Sequence, residues 1–373
     1  MRRLRVVVCA AAFAATVALN AAGSAVASSG WSIQPTPNPT GRSSVLYDVS
    51  CPAPAVCTAV GNYTNASGNQ ATRAERWNGT AWKTQPTPNP SGAPGSSLSG
   101  VSCTAANACT AVGQGNGTLA ERWNGTAWSI QPTPNAAGAS FLYGVSCTAA
   151  TACTAVGYSG GATLAERWNG TAWSIQPTPN AGVASVLYRV SCTAATACTA
   201  VGYSRFIGCG PFHCIFYGAL AERWNGATWT IQSGLPAYRS QITLTGVSCN
   251  GTSACTGVGY YNASTLAAAW NGTTWATQPT PNPTGSTFSE LSGVSCTAAN
   301  ACTAVGQGNG TLAEQWNGTA WSIQPTPNPT GATGSYLSGV SCTASTASTA
   351  CTAVGVYANS SGTDLTLAER YSG

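Results

Sequence analysis

One unit of sequence recurs seven times along the chain, and no fold that ignores this can be right. Each copy reads Leu-x-x-Val-Ser-Cys, a short loop, Cys-Thr-Ala-Val-Gly, a variable loop, Leu-Ala-Glu-Arg-Trp-Asn-Gly-Thr-Ala-Trp-Ser-Ile-Gln, then Pro-Thr-Pro-Asn. The first cysteine of the unit stands at Cys51, Cys103, Cys147, Cys192, Cys249, Cys296 and Cys342. Its companion stands at Cys57, Cys109, Cys153, Cys198, Cys255, Cys302 and Cys351. The period of 44 to 57 residues is that of one propeller blade.

Each copy supplies four strand-like runs, as in Leu98–Cys103, Cys109–Gly113, Leu119–Trp123 and Ala127–Gln131. They are rich in β-branched and aromatic residues and are bounded by turn formers. Asn124-Gly125 between the third and fourth runs predicts a tight type I′ hairpin turn, which needs φ > 0 at both central residues. The prolines of Pro-Thr-Pro-Asn end the fourth run, because proline has no N–H for the ladder. No segment has helical periodicity with caps, so the expected fold is all-β.

The chain ends set the architecture. The last copy stops at Tyr371-Ser372-Gly373 without a fourth strand, and Trp31-Ser32-Ile33-Gln34 is a fourth strand without a blade. Joined, they complete a seventh unit, with Trp31 and Tyr371 taking the place of the Trp pair that the other six carry. A closed ring needs this offset; an open solenoid would carry distinct capping repeats instead. The expectation is a seven-bladed β-propeller with four-stranded blades, the last closed by the N-terminal strand.

Ahead of it, residues 1–27 read as a secretory signal peptide: Arg2, Arg3 and Arg5, an apolar stretch from Val6 to about Leu19, and Ala25-Val26-Ala27 before Ser28. The Arg2-Arg3 pair also suggests twin-arginine export, but that route carries prefolded proteins and suits a disulfide-rich product poorly. Residues 28–373 are then one domain, secreted and extracellular. Losing the three arginines lowers the formal charge from +5 to +2. Charged residues make up only 6% of the chain, against roughly 25% in an average domain. Such a surface gives no footprint for nucleic acid or acidic lipid. No later stretch reaches membrane-spanning length. A monomer is expected.

The seventeen cysteines become sixteen once Cys9 leaves with the signal, which in an oxidising compartment reads as eight disulfides. The Cys-x5-Cys spacing closes the hairpin between the first two strands, and it fits a zinc site badly.

At the level of architecture, over residues 31–373, units of this length with four strands and a Gly-x-x-Trp hairpin resemble kelch-type and sialidase-type (BNR) blades. The sialidase Asp-box carries an aspartate at the corresponding turn. Asn78-Gly79-Thr80-Ala81-Trp82 keeps its glycine and tryptophan but lacks the acid, so no catalytic residue is implied. The Val-Ser-Cys…Cys-Thr-Ala-Val-Gly pattern is also similar to uncharacterised secreted repeat proteins of high-GC bacteria, which implies secretion and a propeller but no activity.

Three features are candidates for function. The Trp pairs Trp77/Trp82, Trp123/Trp128 and Trp168/Trp173 either pack across hairpins and between blades or, as in propeller lectins, stack on sugar rings with one site per blade. The Glu-Arg dipeptides at Glu75, Glu121, Glu166, Glu222 and Glu369, with Glu314-Gln315 in copy six, face opposite sides of a strand. They predict an inter-blade ring of ion pairs, broken at Ala268-Ala269 in copy five. Copy four carries an insertion over 204–218 with Phe206, Phe212, His213, Phe216 and Tyr217, which a Cys209–Cys214 bridge would stiffen. It reads either as a self-packed surface insertion or as a binding loop on a rigid scaffold.

Acids outside the repeat are scarce: Asp48, Asp364, and Glu290 in a Ser-rich, linker-like stretch. A glycosidase needs two well-placed carboxylates, and the one histidine lies in the insertion. The expectation is therefore a non-catalytic binding protein with no cofactor and no metal. Its ligand is a glycan or cell-envelope polysaccharide, taken multivalently, or an extracellular protein that docks on the copy-four insertion. An enzyme built from Asp48, Glu290, His213 and Asp364 is the third option. Asn-Gly-Thr recurs as a glycosylation sequon, but the hairpin turn already accounts for its period.

Overall fold

The computed structural model describes residues 30–134, 139–208, 214–236, 241–344 and 349–373. The signal-peptide expectation, Cys209, Phe212 and His213 lie outside the described residues. Seven antiparallel four-stranded sheets follow one another along the chain. In blade 2 the strands are Ser97–Ala105, Ala108–Gly115, Gly117–Trp123 and Trp128–Gln131. The first strands of neighbouring blades touch one another all the way round, so they line a central channel. No helix is present among the described residues.

The ring closes as the chain ends require. Gly30–Gln34 pairs with the third strand of blade 7, placing Trp31 opposite Tyr371 and Gln34 opposite Ala368. Trp31 is buried, with its ring 5.6 Å from that of Tyr371. Trp31→Ala is expected to cost about 3–5 kcal/mol, read as a fall of about 5 °C in Tm for a chain of this length. Ile33→Ala, on the exposed face of the same strand, should leave Tm unchanged. Equal effects of the two would sink the latch.

The repeated motifs are ties between blades. Each Val-Ser-Cys serine accepts the backbone N–H of the next blade's cysteine, from Ser50 with Cys103 round to Ser341 with Cys51, at 2.9–3.0 Å. Seven such bonds form a closed hoop around the channel. The cysteines themselves bridge the first two strands within each blade, and seven disulfides join the seven predicted pairs. Cys214 is also disulfide-bonded.

Between blades lie apolar clusters. Val60 and Ala74 of blade 1 pack against Leu98, Val101, Leu119, Trp123 and Trp128 of blade 2. A fully buried leucine such as Leu98 contributes about 1.5–3 kcal/mol. The second tryptophan of a pair also reaches the preceding blade: Trp128 Nε1 donates to Gln85 and Trp173 Nε1 to Gln131, at 3.0 and 3.1 Å. Pro-Thr-Pro-Asn folds back over its own blade. The Thr87 hydroxyl donates to the Thr72 carbonyl, and Asn89 Oδ1 accepts the Thr72 N–H.

Two expectations are corrected. The Trp–Trp hairpin is a four-residue loop, because Trp123 pairs directly with Trp128. Within the loop only Gly125 has positive φ, while Asn124 Oδ1 accepts the N–H groups of Thr126 and Ala127. This is an asparagine-capped turn and not type I′.

The Glu-Arg ring does not ion-pair. The two side chains do face different neighbours, but at different levels. Glu121 meets Thr72 of the preceding blade, whereas Arg76 reaches forward over the Trp123 ring. Arg76 lies four positions beyond Thr72 along the strand, about 13 Å, and Glu121 and Arg76 form no ion pair. Arg167, Arg223 and Arg370 donate instead to the carbonyls of Ala195, Thr252 and Pro54 in the next blade. Among the described residues the one ion pair is Arg73–Glu75, within blade 1. The threonine and glutamate are lost together: blade 4 has Ala219 at the threonine position, and its neighbour has Ala268 at the glutamate position. Those two alanines pack in one cluster.

Candidate functional site

The seven inner strands share a defect. In each, one residue of the first strand is skipped in the pairing with the second. The skipped residues are Tyr47, Ser99, Tyr143, Tyr188, Thr245, Ser292 and Ser338. The cause is visible opposite them: a Cβ at Gly113 would stand 1.9 Å from the Ser97 carbonyl oxygen. A bulge re-aims a side chain, and all seven skipped residues turn into one cavity of about 540 Å³ at the mouth of the channel.

The residue after each bulge forms the neck of the channel. Five copies have glycine there, and the strands approach so closely that a Cβ on Gly100 would meet the Tyr143 carbonyl oxygen at 2.8 Å. The other two copies carry Asp48 and Arg189. Arg189 spans the bore from blade 4: Nη1 donates to the Tyr143 and Tyr188 carbonyls at 2.8 and 3.3 Å, and Nη2 to the Tyr47 carbonyl of blade 1 at 3.3 Å. Asp48 accepts the N–H groups of Val49 and Val101 at 2.9 and 3.0 Å. Desolvation pushes the Asp48 carboxyl up, and the Arg189 charge and these two bonds pull it back.

Above the neck the mouth is two-sided. Blades 3 to 5 give it aromatics. Tyr158, Phe141, Tyr143, Tyr188, Tyr203 and Tyr217 form a continuous run of rings 5.5–6.3 Å apart, and Tyr260 stands beyond it in blade 5. The opposite arc is mostly amide, hydroxyl and carboxyl, from Asn62, Gln70, Gln114, Ser292, Ser338 and Glu290, with one ring, Tyr47, whose hydroxyl accepts from Asn62 Nδ2 at 3.2 Å. Glu290 begins the inner strand of blade 6 and accepts from Gln307 Nε2 at 3.2 Å, so its stretch is part of a blade and not a linker. Burial raises its carboxyl pKa.

The copy-four insertion is a prolongation of the hairpin of blade 4, with Phe206 opposite Phe216 and Arg205 opposite Tyr217. It rises at the cavity end of the ring. Tyr217 joins the aromatic run, while Ile207 and Ile215 are exposed. The Trp pairs lie at the other end. Trp77, Trp82, Trp123, Trp128, Trp168 and Trp173 are only 5–8% exposed. Rings so buried fit the first of the two readings given to the Trp pairs, packing across hairpins and between blades.

Asp48, Glu290 and Asp364 share no hydrogen bond with one another, and no cluster of three metal-ligating side chains exists among the described residues. Tyr143, Tyr188, Tyr203, Tyr260 and Arg189 were not singled out from the sequence. The available signal was departure from the repeat, with Arg189 and Asp48 at a glycine position and tyrosines where other copies have Ser or Thr.

Fold and site define a class: a seven-bladed β-propeller that gathers side chains from every blade at one channel mouth. No family model and no curated protein matches the chain. Among solved structures it is similar to "YCF48 bound to D1 peptide", at 12% identity and TM-score 0.54 over 91% of this chain and 94% of that one. It is also similar to YCF48 from Cyanidioschyzon merolae, at 13% identity and TM-score 0.55, covering 92% and 98%. A third is U3-55K, at 9% identity and TM-score 0.60, again covering 92% and 98%. Identities this low show the shared fold alone, and these neighbours do not point to kelch-type or sialidase-type propellers in particular.

Proposed function

We propose that the protein is a secreted, non-catalytic binding propeller with one ligand site per chain, at the aromatic side of the channel mouth, and that its ligand is a glycan or cell-envelope polysaccharide. The observation that carries this is the uneven lining of an otherwise sevenfold mouth: Tyr143, Tyr188 and Tyr260 of blades 3 to 5 stand on one arc, facing amides and hydroxyls with the single ring of Tyr47 among them on the other. Binding sites favour concave surfaces of this kind, with aromatic walls and a few placed polar groups. A sugar has both an apolar face for the rings and hydroxyls for the polar arc. The seven disulfides suit an oxidising compartment.

A peptide ligand is the second reading. It draws on the peptide-bound propeller of similar fold and on exposed Ile207 and Ile215 beside the mouth. Calorimetry with oligosaccharide and peptide panels separates the two. The expected result is saccharide binding with a stoichiometry of one, weakened about tenfold by Tyr188→Ala, equivalent to about 1.4 kcal/mol. Six or seven equivalent sites per chain would sink the single-site reading.

A further inference from the structure

Beside the mouth lies a second, smaller cavity of about 300 Å³, lined by Tyr188, Tyr203 and Tyr217 of blade 4 and by Gln241, Thr243 and Tyr260 at blade 5. It shares Tyr188, Thr243 and Tyr260 with the mouth, so the two are continuous. We propose that this tyrosine pocket is the subsite for a single uncharged pyranose unit of the ligand, and that it decides which glycan the protein takes. The proposal rests on the reading of the mouth as a glycan site.

Chemistry selects the ligand. None of the six lining side chains carries a charge; Arg205, opposite Tyr217 and near enough to act on Tyr203, lies outside the lining, so an ion taken into the pocket would be stripped of water without a partner in its wall. All six present a hydroxyl or an amide, groups that both donate and accept, which is what a sugar hydroxyl asks of its surroundings. Burial pushes the Tyr188 and Tyr203 phenols further above the usual phenol range, so these two stay donors. The rings are inclined to one another, Tyr188 to Tyr203 by 40° and Tyr203 to Tyr217 by 65°, so they form walls around a space and do not stack it shut. At about 30 Å³ per water the pocket holds roughly ten waters, which suits one hexose ring and not two.

The pocket also explains the copy-four insertion. Tyr217 stands on the prolonged hairpin, opposite Arg205. A bridge between Tyr217 and Gln241 ties that hairpin to the entry of blade 5. The departure of copy four from the repeat is what turns one seventh of the rim into a pocket.

The test is calorimetric titration of the oxidised mature protein with neutral tetrasaccharides of glucose, galactose, mannose and N-acetylglucosamine, and with tetragalacturonate as the charged counterpart. Tyr203→Phe and Tyr217→Phe remove a hydroxyl and keep the ring, and Tyr217→Ala removes both; each is checked for unchanged Tm. A neutral saccharide is expected to bind, with a threefold to tenfold loss for each Phe variant, at least tenfold for Tyr217→Ala, and at least tenfold weaker binding of tetragalacturonate. If a saccharide binds and Tyr188→Ala weakens it while all three pocket variants do not, the inference falls and the mouth reading stands. Equal binding of neutral and charged saccharides also overturns the inference alone. Should no saccharide bind, both fall.

Discussion

Reduction of the disulfides is expected to lower the apparent Tm by 20 °C or more. Six bridges close loops of seven residues and the seventh, Cys342–Cys351, closes one of ten. In the chain-entropy model each is worth about 2.4 kcal/mol, and seven together reach roughly 17 kcal/mol. That is as large as the whole stability of an ordinary domain. For a chain this long it corresponds to a shift of the stated size. The second cysteine of each pair is buried and its sulfur takes a hydroxyl from the preceding blade, as Cys109 does from Thr58 and Cys153 from Thr110. Reduction should therefore be slow under native conditions and fast once blades separate. The measurement is calorimetry of oxidised protein against reduced, alkylated protein, with the alkyl groups counted by mass spectrometry. A reduced protein that melts where the oxidised one does would show that the hoop of Ser–Cys bonds and the inter-blade cores suffice alone.

The blade count, the four strands per blade, the Cys pairing and the N-terminal latch were all legible in the sequence, because each is a local pattern copied many times. What the sequence hid was position across the ring. Strand alternation told which way Glu121 and Arg76 point, but not that Glu121 arrives beside Thr72 while Arg76 arrives beside Trp123, so the ion-pair ring failed. Asn124-Gly125 announced a turn, but the loop length was set by where Trp123 meets Trp128. The repeated tryptophans carried two readings, packing across hairpins and between blades or a sugar platform on every blade. In a ring, the same repetition is what inter-blade packing demands. The candidate site was the harder part. Tyr143 and Tyr188 occupy variable positions within Leu-x-x-Val, and only the bulge opposite Gly157 and Gly202 turns them into the mouth. Glu290 follows a run of Ser, Thr and Gly, and nothing local marks it as the first residue of an inner strand.

The same inter-blade geometry gives the second large effect, a loss of stability as pH rises from about 4.5 to about 8. Glu75, Glu121, Glu166, Glu222, Glu314 and Glu369 are fully buried. Desolvation pushes Glu75 and Glu166 up to about 7, and Glu121, Glu222, Glu314 and Glu369 to about 8. A threonine hydroxyl of the preceding blade offsets part of this for five of them, and Arg73 does so for Glu75. Below pH 4.5 these groups are protonated in both folded and unfolded chains and folding carries no penalty. Between 4.5 and 8 the unfolded chain has released its protons while the folded ring still holds them. The unfolded state then binds fewer protons, and stability falls with rising pH. Above about 8 the folded carboxyls ionise as well and the loss levels off. Asp48 and Glu290, also raised by burial, add in the same direction. With six groups and relaxation of the buried sites, the apparent Tm should be on the order of 10 °C higher at pH 5 than at pH 8.5. Replacing all six by glutamine keeps the shape and removes the titration. That variant should melt higher than the natural chain at pH 8.5 and show a nearly flat profile. A natural chain whose Tm is unchanged or higher at pH 8.5 would mean that the six carboxylates are ionised in the fold, solvated or paired in a way that this packing does not contain.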